Sequence, residues 1–446
     1  MEGARRRLVL VAVILSGILI PINSSMIAVG LEPIAHGLRL PTDDVVWAVT
    51  IYLVVMAAMQ PVAGKMGDLF GRRRLLLLGL GIFLLSSVGA AVFPHLLTLI
   101  IFRSGQALGG ALMVPNGMGI IRSIYDGERL RRVLGVVGMM QSLGAAVGPL
   151  LGALLVSLGG WPLIFWVNVP IVGFALAAAL LAVPRDLPTV RRPIDALGAF
   201  SLAVGLSFLA LAMPRSGAHE MLWAIPFSLL GFGLFALVER RAPEPVVRFP
   251  LFRLRPFTSG NLAILGSNFF MYSTLLYMPI ALKARGTGTG RIGLLMFLFS
   301  FVMSLSGWLG SRVIQRTGSR ALVRFAFGVD LIVVIWYIGL QTSSPMAYIV
   351  AGLIIAGIGA GGGNVAMQAT VLEAVPPAIA GVSSGIYSTF RYIGSITASA
   401  LIGIMVASHG AHWGILAGVG LLGTMVAQGF PTRSQSAGLS QKVAEG

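Results

Sequence analysis

The sequence predicts an all-α membrane protein of fourteen spans, on three observations. Of its 446 residues 56% are hydrophobic and 11% charged, whereas a soluble domain carries about 25% charged residues. Apolar runs of about 18 to 25 residues, each able to cross roughly 30 Å of hydrocarbon, recur almost to the C-terminus. Basic residues crowd alternate short loops: Arg72 to Arg74, then Arg129, Arg131 and Arg132, then Arg240 to Arg255.

That alternation is the positive-inside pattern. About 25 of the 32 Lys and Arg fall on one side, about five on the other, and Arg103 and Arg391 lie within spans. The expectation is a multi-pass protein of the cytoplasmic membrane with both termini cytoplasmic. The formal net charge of +17 is therefore topological and points to no nucleic-acid partner. There is no cysteine, so disulfides and thiolate metal sites are excluded. His36, His95, His219, His409 and His412 are scattered near predicted outer span ends, and no metal or cofactor is expected. Arg5 to Arg7 before an apolar run imitate a signal peptide, but the run continues for about 25 residues without a small-residue cleavage site, so it reads as the first span.

Taken in order, the apolar runs place six spans at 8–32, 44–64, 74–92, 95–121, 132–157 and 161–183. A charged, Pro-containing stretch then leads to two further spans at 195–213 and 220–238 and to a basic segment. Six more follow at 257–282, 290–312, 321–340, 346–373, 380–407 and 411–430. The domains expected are a six-helix bundle over 1–183, a linker with two extra helices over 184–256, a second six-helix bundle over 257–430 and a cytoplasmic tail over 431–446. Two bundles that rock around a midplane site are what an alternating-access carrier needs.

Spans two and three are joined by Gly64-Lys65-Met66-Gly67-Asp68-Leu69-Phe70-Gly71-Arg72-Arg73-Arg74. Glycines permit close helix approach and a tight turn, and an acid such as Asp68 can meet an Arg or a helix N-terminus in one arrangement only, as a latch does. The segment resembles the loop motif of the major facilitator superfamily, with Gly64, Asp68, Gly71 and Arg72 as the latch. The matching loop of the second half, from Gly307 to Arg320, resembles a degenerate copy with Ser311 where an acid would stand.

Arg103, with Gln106, Gly109, Gly110 and Ala111, is similar to the family's second motif. A guanidinium at the bilayer centre costs on the order of 2.5 to 3.5 kcal/mol on insertion scales, so Arg103 requires a partner; it reads as a transport residue or as a structural tie. Gly144 to Ala153, with Gly144, Gly148, Pro149 and Gly152, resembles the antiporter signature of that superfamily. Trp161 to Pro170 and Gly381 to Gly394, with Arg391, are similar to the sixth and eleventh core spans of its fourteen-span drug:proton antiporters. The resemblance implies the major facilitator fold, two six-helix bundles with two additional helices between them.

One departure concerns coupling. The first span of that subfamily usually carries an aspartate about where Asn23 stands, and an amide cannot exchange a proton. The acids in or near spans are Glu32, Asp43, Asp44, Asp330 and Glu373. The proton-coupling candidates are Glu32 first, then Arg103 and Asp330, the last expected to have a local Arg partner. Polar and soft residues on inner spans suggest a substrate cavity: Asn23 and Met26, Met113 and Asn116, Met140 and Gln141, then Asn268 and Tyr272, Asn364 and Gln368, together with Arg391. Two letter matches are rejected. Gly357 to Gly362 fits a dinucleotide fingerprint inside an apolar run with no preceding strand, and reads as close helix packing. Gly381-Val382-Ser383-Ser384-Gly385 lacks the strand and the His and acid partners of a nucleophile elbow.

The resemblance implies a secondary transporter, not an enzyme, that exports amphipathic organic compounds by proton antiport. Its partners would be amphipathic small molecules or lipids, protons and membrane lipid, with a monomer sufficient. The alternative is a lipid or glycolipid flippase on the same fold, motivated by Asn23 and by the scarcity of acids that could hold a cation.

Overall fold

The computed structural model describes residues 2–125, 127–184, 196–211, 221–241, 249–340, 343–375, 380–401 and 411–431. Among them the secondary structure is helical throughout, with no strand. The expected C-terminal tail, most of the charged stretch after residue 184, and residues 402–407 of the thirteenth predicted span lie outside the described residues.

The helices are α1 (Glu2–Leu38), α2 (Thr42–Val45), α3 (Trp47–Phe70), α4 (Arg72–Val92), α5 (Leu96–Ile124), α6 (Gly127–Gly159), α7 (Leu163–Trp166) and α8 (Asn168–Ala182). Then come α9 (Ala196–Leu211), α10 (Met221–Arg241), α11 (Arg255–Ala284), α12 (Thr289–Thr317), α13 (Ser319–Ile338), α14 (Met346–Gly362), α15 (Asn364–Glu373), α16 (Ala380–Ala400) and α17 (Ala411–Val426). Each predicted apolar run carries helix. Three runs are interrupted: the second at Val46, the sixth at Val167 and the twelfth at Gly363. Pro170 has no N–H to offer the Trp166 carbonyl, and three successive glycines, Gly361 to Gly363, weaken the helix at the last break.

Among the described residues, eight helices have both the length and the apolar composition of a membrane crossing. Shorter apolar helical stretches lie at Trp47–Gln60, Phe200–Leu209 and Ala417–Gly429. Helices α11 and α16 are long enough, but their polar residues, including Asn261, Asn268, Thr389 and Arg391, lower their hydropathy. An amphipathic helix that turns polar side chains inward is a normal lining element of a membrane bundle.

The chain divides into two compact units. Unit 1 holds α1 to α10 together with the start of α12 up to Phe297. Glycines set its close helix contacts: a Cβ on Gly79 would lie 2.8 Å from the Gly109 carbonyl, and one on Gly109 would lie 2.6 Å from that of Gly79, so α4 and α5 meet backbone to backbone. Helices α9 and α10 form a tight hairpin in which a Cβ on Gly231 would lie 2.6 Å from Gly205 N and the Ser228 hydroxyl donates to the Gly205 carbonyl at 3.0 Å. This hairpin packs on α3.

Unit 2 holds α11, the remainder of α12, and α13 to α17. The glycine run of α14 serves two neighbours: Gly357 and Gly361 abut the Phe299 and Met303 carbonyls of α12, while Gly352 and Gly359 abut Trp336 and Asp330 of α13. The segment that mimicked a nucleotide fingerprint is thus a packing surface. Small residues of this kind replace the hydrophobic effect as the means of helix association in lipid, where close van der Waals contact decides.

Candidate functional site

Unit 1 contains a buried polar centre built around Arg103 of α5. Its Nε donates to the Ala48 carbonyl at 3.0 Å, and Nη1 donates to Asn23 Oδ1 and, at 3.0 Å, to Gln106 Oε1. The Tyr52 ring lies 4.2 Å from the guanidinium carbon, a cation–π contact. Gln106 Nε2 then donates to Ser87 Oγ at 2.8 Å, and Ser87 to the Phe83 carbonyl at 2.7 Å. Arg103, Asn23, Gln106 and Ser87 are all buried. One side chain therefore ties α1, α3, α4 and α5. The partner that bilayer energetics demanded is found, although its main member is an amide. Asn23 Nδ2 has no hydrogen-bond partner among the described residues. Tyr52 and Ser87 carried no sequence signal: a lone aromatic and a lone serine in apolar runs look like packing.

The antiporter-like run of α6 lies against α1 in a regular ladder. Cβ atoms added to Gly144, Gly148 and Gly152 would lie 3.2, 2.9 and 3.0 Å from the carbonyl oxygens of Ile18, Ile22 and Met26. Both series advance by four residues, so the two helices run in the same direction with one contact per turn. Pro149 lies inside this helix and is buried. Ser25 Oγ bonds back to Pro21 O at 2.8 Å and Ile22 O at 3.2 Å, which keeps the hydroxyl under Gly148.

The segment from Gly64 to Arg74 joins α3 to α4 through a tight turn. Gly71 has φ 98°, a conformation that needs glycine. A Cβ on Gly67 would fall 1.6 Å from Asn116 Oδ1, whereas one on Gly64 would meet Pro115 only at an ordinary 3.6 Å. Arg72 donates to the Gly119 carbonyl at 2.8 Å, and Arg73 to Leu180 O at 2.9 Å near the C-terminus of α8. The Asp68 side chain lies outside the described residues. The degenerate counterpart holds Ser311 on its own helix, its hydroxyl donating to Trp308 O at 2.6 Å.

Several residues expected in the cavity have defined packing partners. Asn116 bonds the Ala63 and Leu112 carbonyls at 3.1 and 2.7 Å and lies against Gly67 of α3. Met113 is part of the apolar core with Leu76 and Leu80, and Met26 is fully buried with its backbone against Gly152. Met140 is half-buried, and Gln141 is half-buried with its amide over Gly17 of α1.

In unit 2 a second polar cluster forms. Arg391 of α16 donates to Tyr392 Oη at 3.3 Å, lies 5.0 Å from the Tyr392 ring centroid, and has Tyr387 and Tyr272 close enough to act on it electrostatically. The Tyr387 hydroxyl reaches the Asn364 carbonyl at 3.5 Å, at the break between α14 and α15. Asn268 turns its amide to Ile264 O on its own helix, Asn364 of α15 turns its amide across the break to Ala360 O of α14, and Gln368 is exposed. The sequence reading missed Tyr387 and Tyr392; Tyr387 sits one helical turn before Arg391, and that spacing was the available signal.

The acids separate. Glu32, near the far end of α1, accepts a hydrogen bond from Thr42 Oγ1 at 2.9 Å, so it ties α1 to α2. Asp330 of α13 is buried against Gly359 of α14. The expected arginine partner is not found among the described residues; Arg320 instead donates to Phe430 O at 2.7 Å.

Residues 13–399 match the family model described as Major Facilitator Superfamily. The chain is 37% identical to the uncharacterized MFS-type transporter YvkA of Bacillus subtilis, over 96% of this chain and 97% of that one. It is 28% identical to the multidrug resistance protein Stp of Mycobacterium tuberculosis, over 90% of this chain and 76% of that protein. Among solved structures, a D-xylose–proton symporter superposes with a TM-score of 0.69 at 15% identity, covering 96% of this chain and 98% of the symporter, a likeness of fold alone. The two helical units, each with its buried arginine or arginine–tyrosine cluster, are thus those of a membrane transporter, and the chain belongs to the major facilitator superfamily.

Proposed function

We propose that this transporter exports amphipathic organic compounds across the cytoplasmic membrane by proton antiport with alternating access. The observation that carries the reading is the glycine ladder between α6 and α1, in the segment that resembles the superfamily's antiporter signature. Relatives named as multidrug resistance and tetracenomycin C resistance and export proteins support the direction and substrate class. The same reading takes the chain as fourteen spans in a six, two, six order, with both termini cytoplasmic and a monomer as the working unit.

Proton coupling needs a carboxyl within a span that can lose and regain a proton. Asp330 meets that need better than Glu32, because Asp330 is buried in mid-helix while Glu32 is tied to a connecting turn. Expression in cells stripped of other pumps provides the test: tolerance to a panel of dyes, biocides and antibiotics should rise and should fall when the proton gradient is collapsed. No gain in tolerance across the panel would refute multidrug export. A second reading, lipid or glycolipid movement on the same fold, is favoured by one observation, the amide at position 23 beside Arg103; scrambling of labelled lipid in proteoliposomes would select it.

A further inference from the structure

We propose that Arg391, framed by Tyr272, Tyr387 and Tyr392, is the recognition point for an anionic headgroup, so that the transported compounds are amphipathic anions with an aromatic or apolar body. The inference rests on the exporter reading and names its substrate class.

The cluster is assembled from two long helices of unit 2 that touch closely, since a Cβ on Gly394 would lie 2.1 Å from the Leu265 carbonyl. Tyr272 comes from α11, Arg391 and the other two tyrosines from α16. The three tyrosines are buried while Arg391 is only half-buried. Tyr392 is its one described hydrogen-bond partner, at a long 3.3 Å, and no carboxylate faces it among the described residues. A guanidinium has five donors in a planar fork suited to two oxygens of one anion.

The tyrosines supply rings for an apolar body. Tyr387 already spends its hydroxyl on Asn364 O, which fixes that ring. Arg103 differs in this respect, because its site in unit 1 is fully buried and already filled by Asn23, Gln106 and Ala48. Among the described residues Arg391 is therefore a within-span cation with donors left for a ligand.

The test uses the full-length protein in proteoliposomes and four probes: pyrenebutyrate, neutral pyrenebutanol, the cation tetraphenylphosphonium, and labelled phosphatidylglycerol. Transport of an anionic probe should exceed that of the neutral and cationic probes by about tenfold, the scale of one hydrogen bond to a charged group. Arg391→Ala should erase that preference while pyrenebutanol transport persists. Arg391→Lys should keep part of it, because a point charge replaces the fork. If phosphatidylglycerol moves in place of pyrenebutyrate and depends on Arg391, the anion is a lipid phosphate and the site stands.

Equal transport of all probes, or an anion preference that survives Arg391→Ala, overturns the site and leaves the exporter reading intact. Transport of no probe by the parent overturns both. A purely structural Arg391 would lower transport of every probe and the Tm together, an outcome that also rejects the proposal.

Discussion

The Arg103 guanidinium donates to the Asn23 carboxamide oxygen in the buried centre of unit 1. A carboxylate of nearly the same shape would fit there, yet an amide has no proton to exchange. Asn23→Asp should therefore add a titrating group without changing the packing. Transport measured across about pH 5 to 8 should gain a pH-dependent step that the parent lacks, and superimposable profiles would show that this pair has no access to protons during the cycle.

Removing the cation has a different consequence. Arg103→Ala leaves Asn23 Oδ1 and Gln106 Oε1 without the Arg103 donor, and each buried acceptor so stranded costs about 1 to 3 kcal/mol. The variant should unfold at a clearly lower temperature in detergent. A Tm equal to the parent's would mean that the network positions substrate and does not hold the four helices together.

The latch glycines should separate by position. Gly67→Ala drives a methyl into Asn116 Oδ1, whereas Gly64→Ala gains only an ordinary contact with Pro115. Overpacking of the first kind costs about 1 to 3 kcal/mol, so Gly67→Ala should reduce yield and thermal stability while Gly64→Ala retains both. Equal behaviour of the two would show that α3 and α5 are looser than this contact implies.

Gly148→Ala tests the ladder between α1 and α6. Its methyl would meet Ser25 Oγ and, at 2.9 Å, the Ile22 carbonyl. Pairing it with Ser25→Ala removes the first clash but not the second. The double variant should recover part of the lost stability, leaving a deficit of about 1 kcal/mol. Full recovery would assign the constraint to the hydroxyl, and none would assign it to the backbone.

How far the sequence could be read follows from what each signal depends on. Hydrophobic length and loop charge are local, so every apolar run carries helix among the described residues, and the glycine motifs found their helices because close approach tolerates so few residue types. Partners across helices are not local. Asn116 looked like a cavity amide because one sequence cannot say which carbonyl its side chain meets. Among the described residues Asp330 has no arginine partner despite Arg320 and Arg324 nearby in the chain, since Arg320 turns to Phe430. Tyr387 and Tyr392 were passed over because tyrosines in a span are ordinary packing until an arginine is seen beside them.

Substitution separates the two carboxyls, Asp330 and Glu32. Asp330→Asn keeps size and shape, so the contact with Gly359 of α14 and the fold should survive. If Asp330 carries the proton, this variant should bind and exchange substrate yet show no substrate-induced proton movement in proteoliposomes. Glu32→Gln should retain coupling, because Thr42 can donate equally to an amide oxygen and the turn between α1 and α2 is preserved. The opposite pattern, coupling lost with Glu32→Gln and kept with Asp330→Asn, would return the proton to the end of α1. An intramembrane acid is costly to retain without a task, and Asp330, closed in between α13 and α14 with no arginine beside it among the described residues, has no structural task that asparagine could not perform.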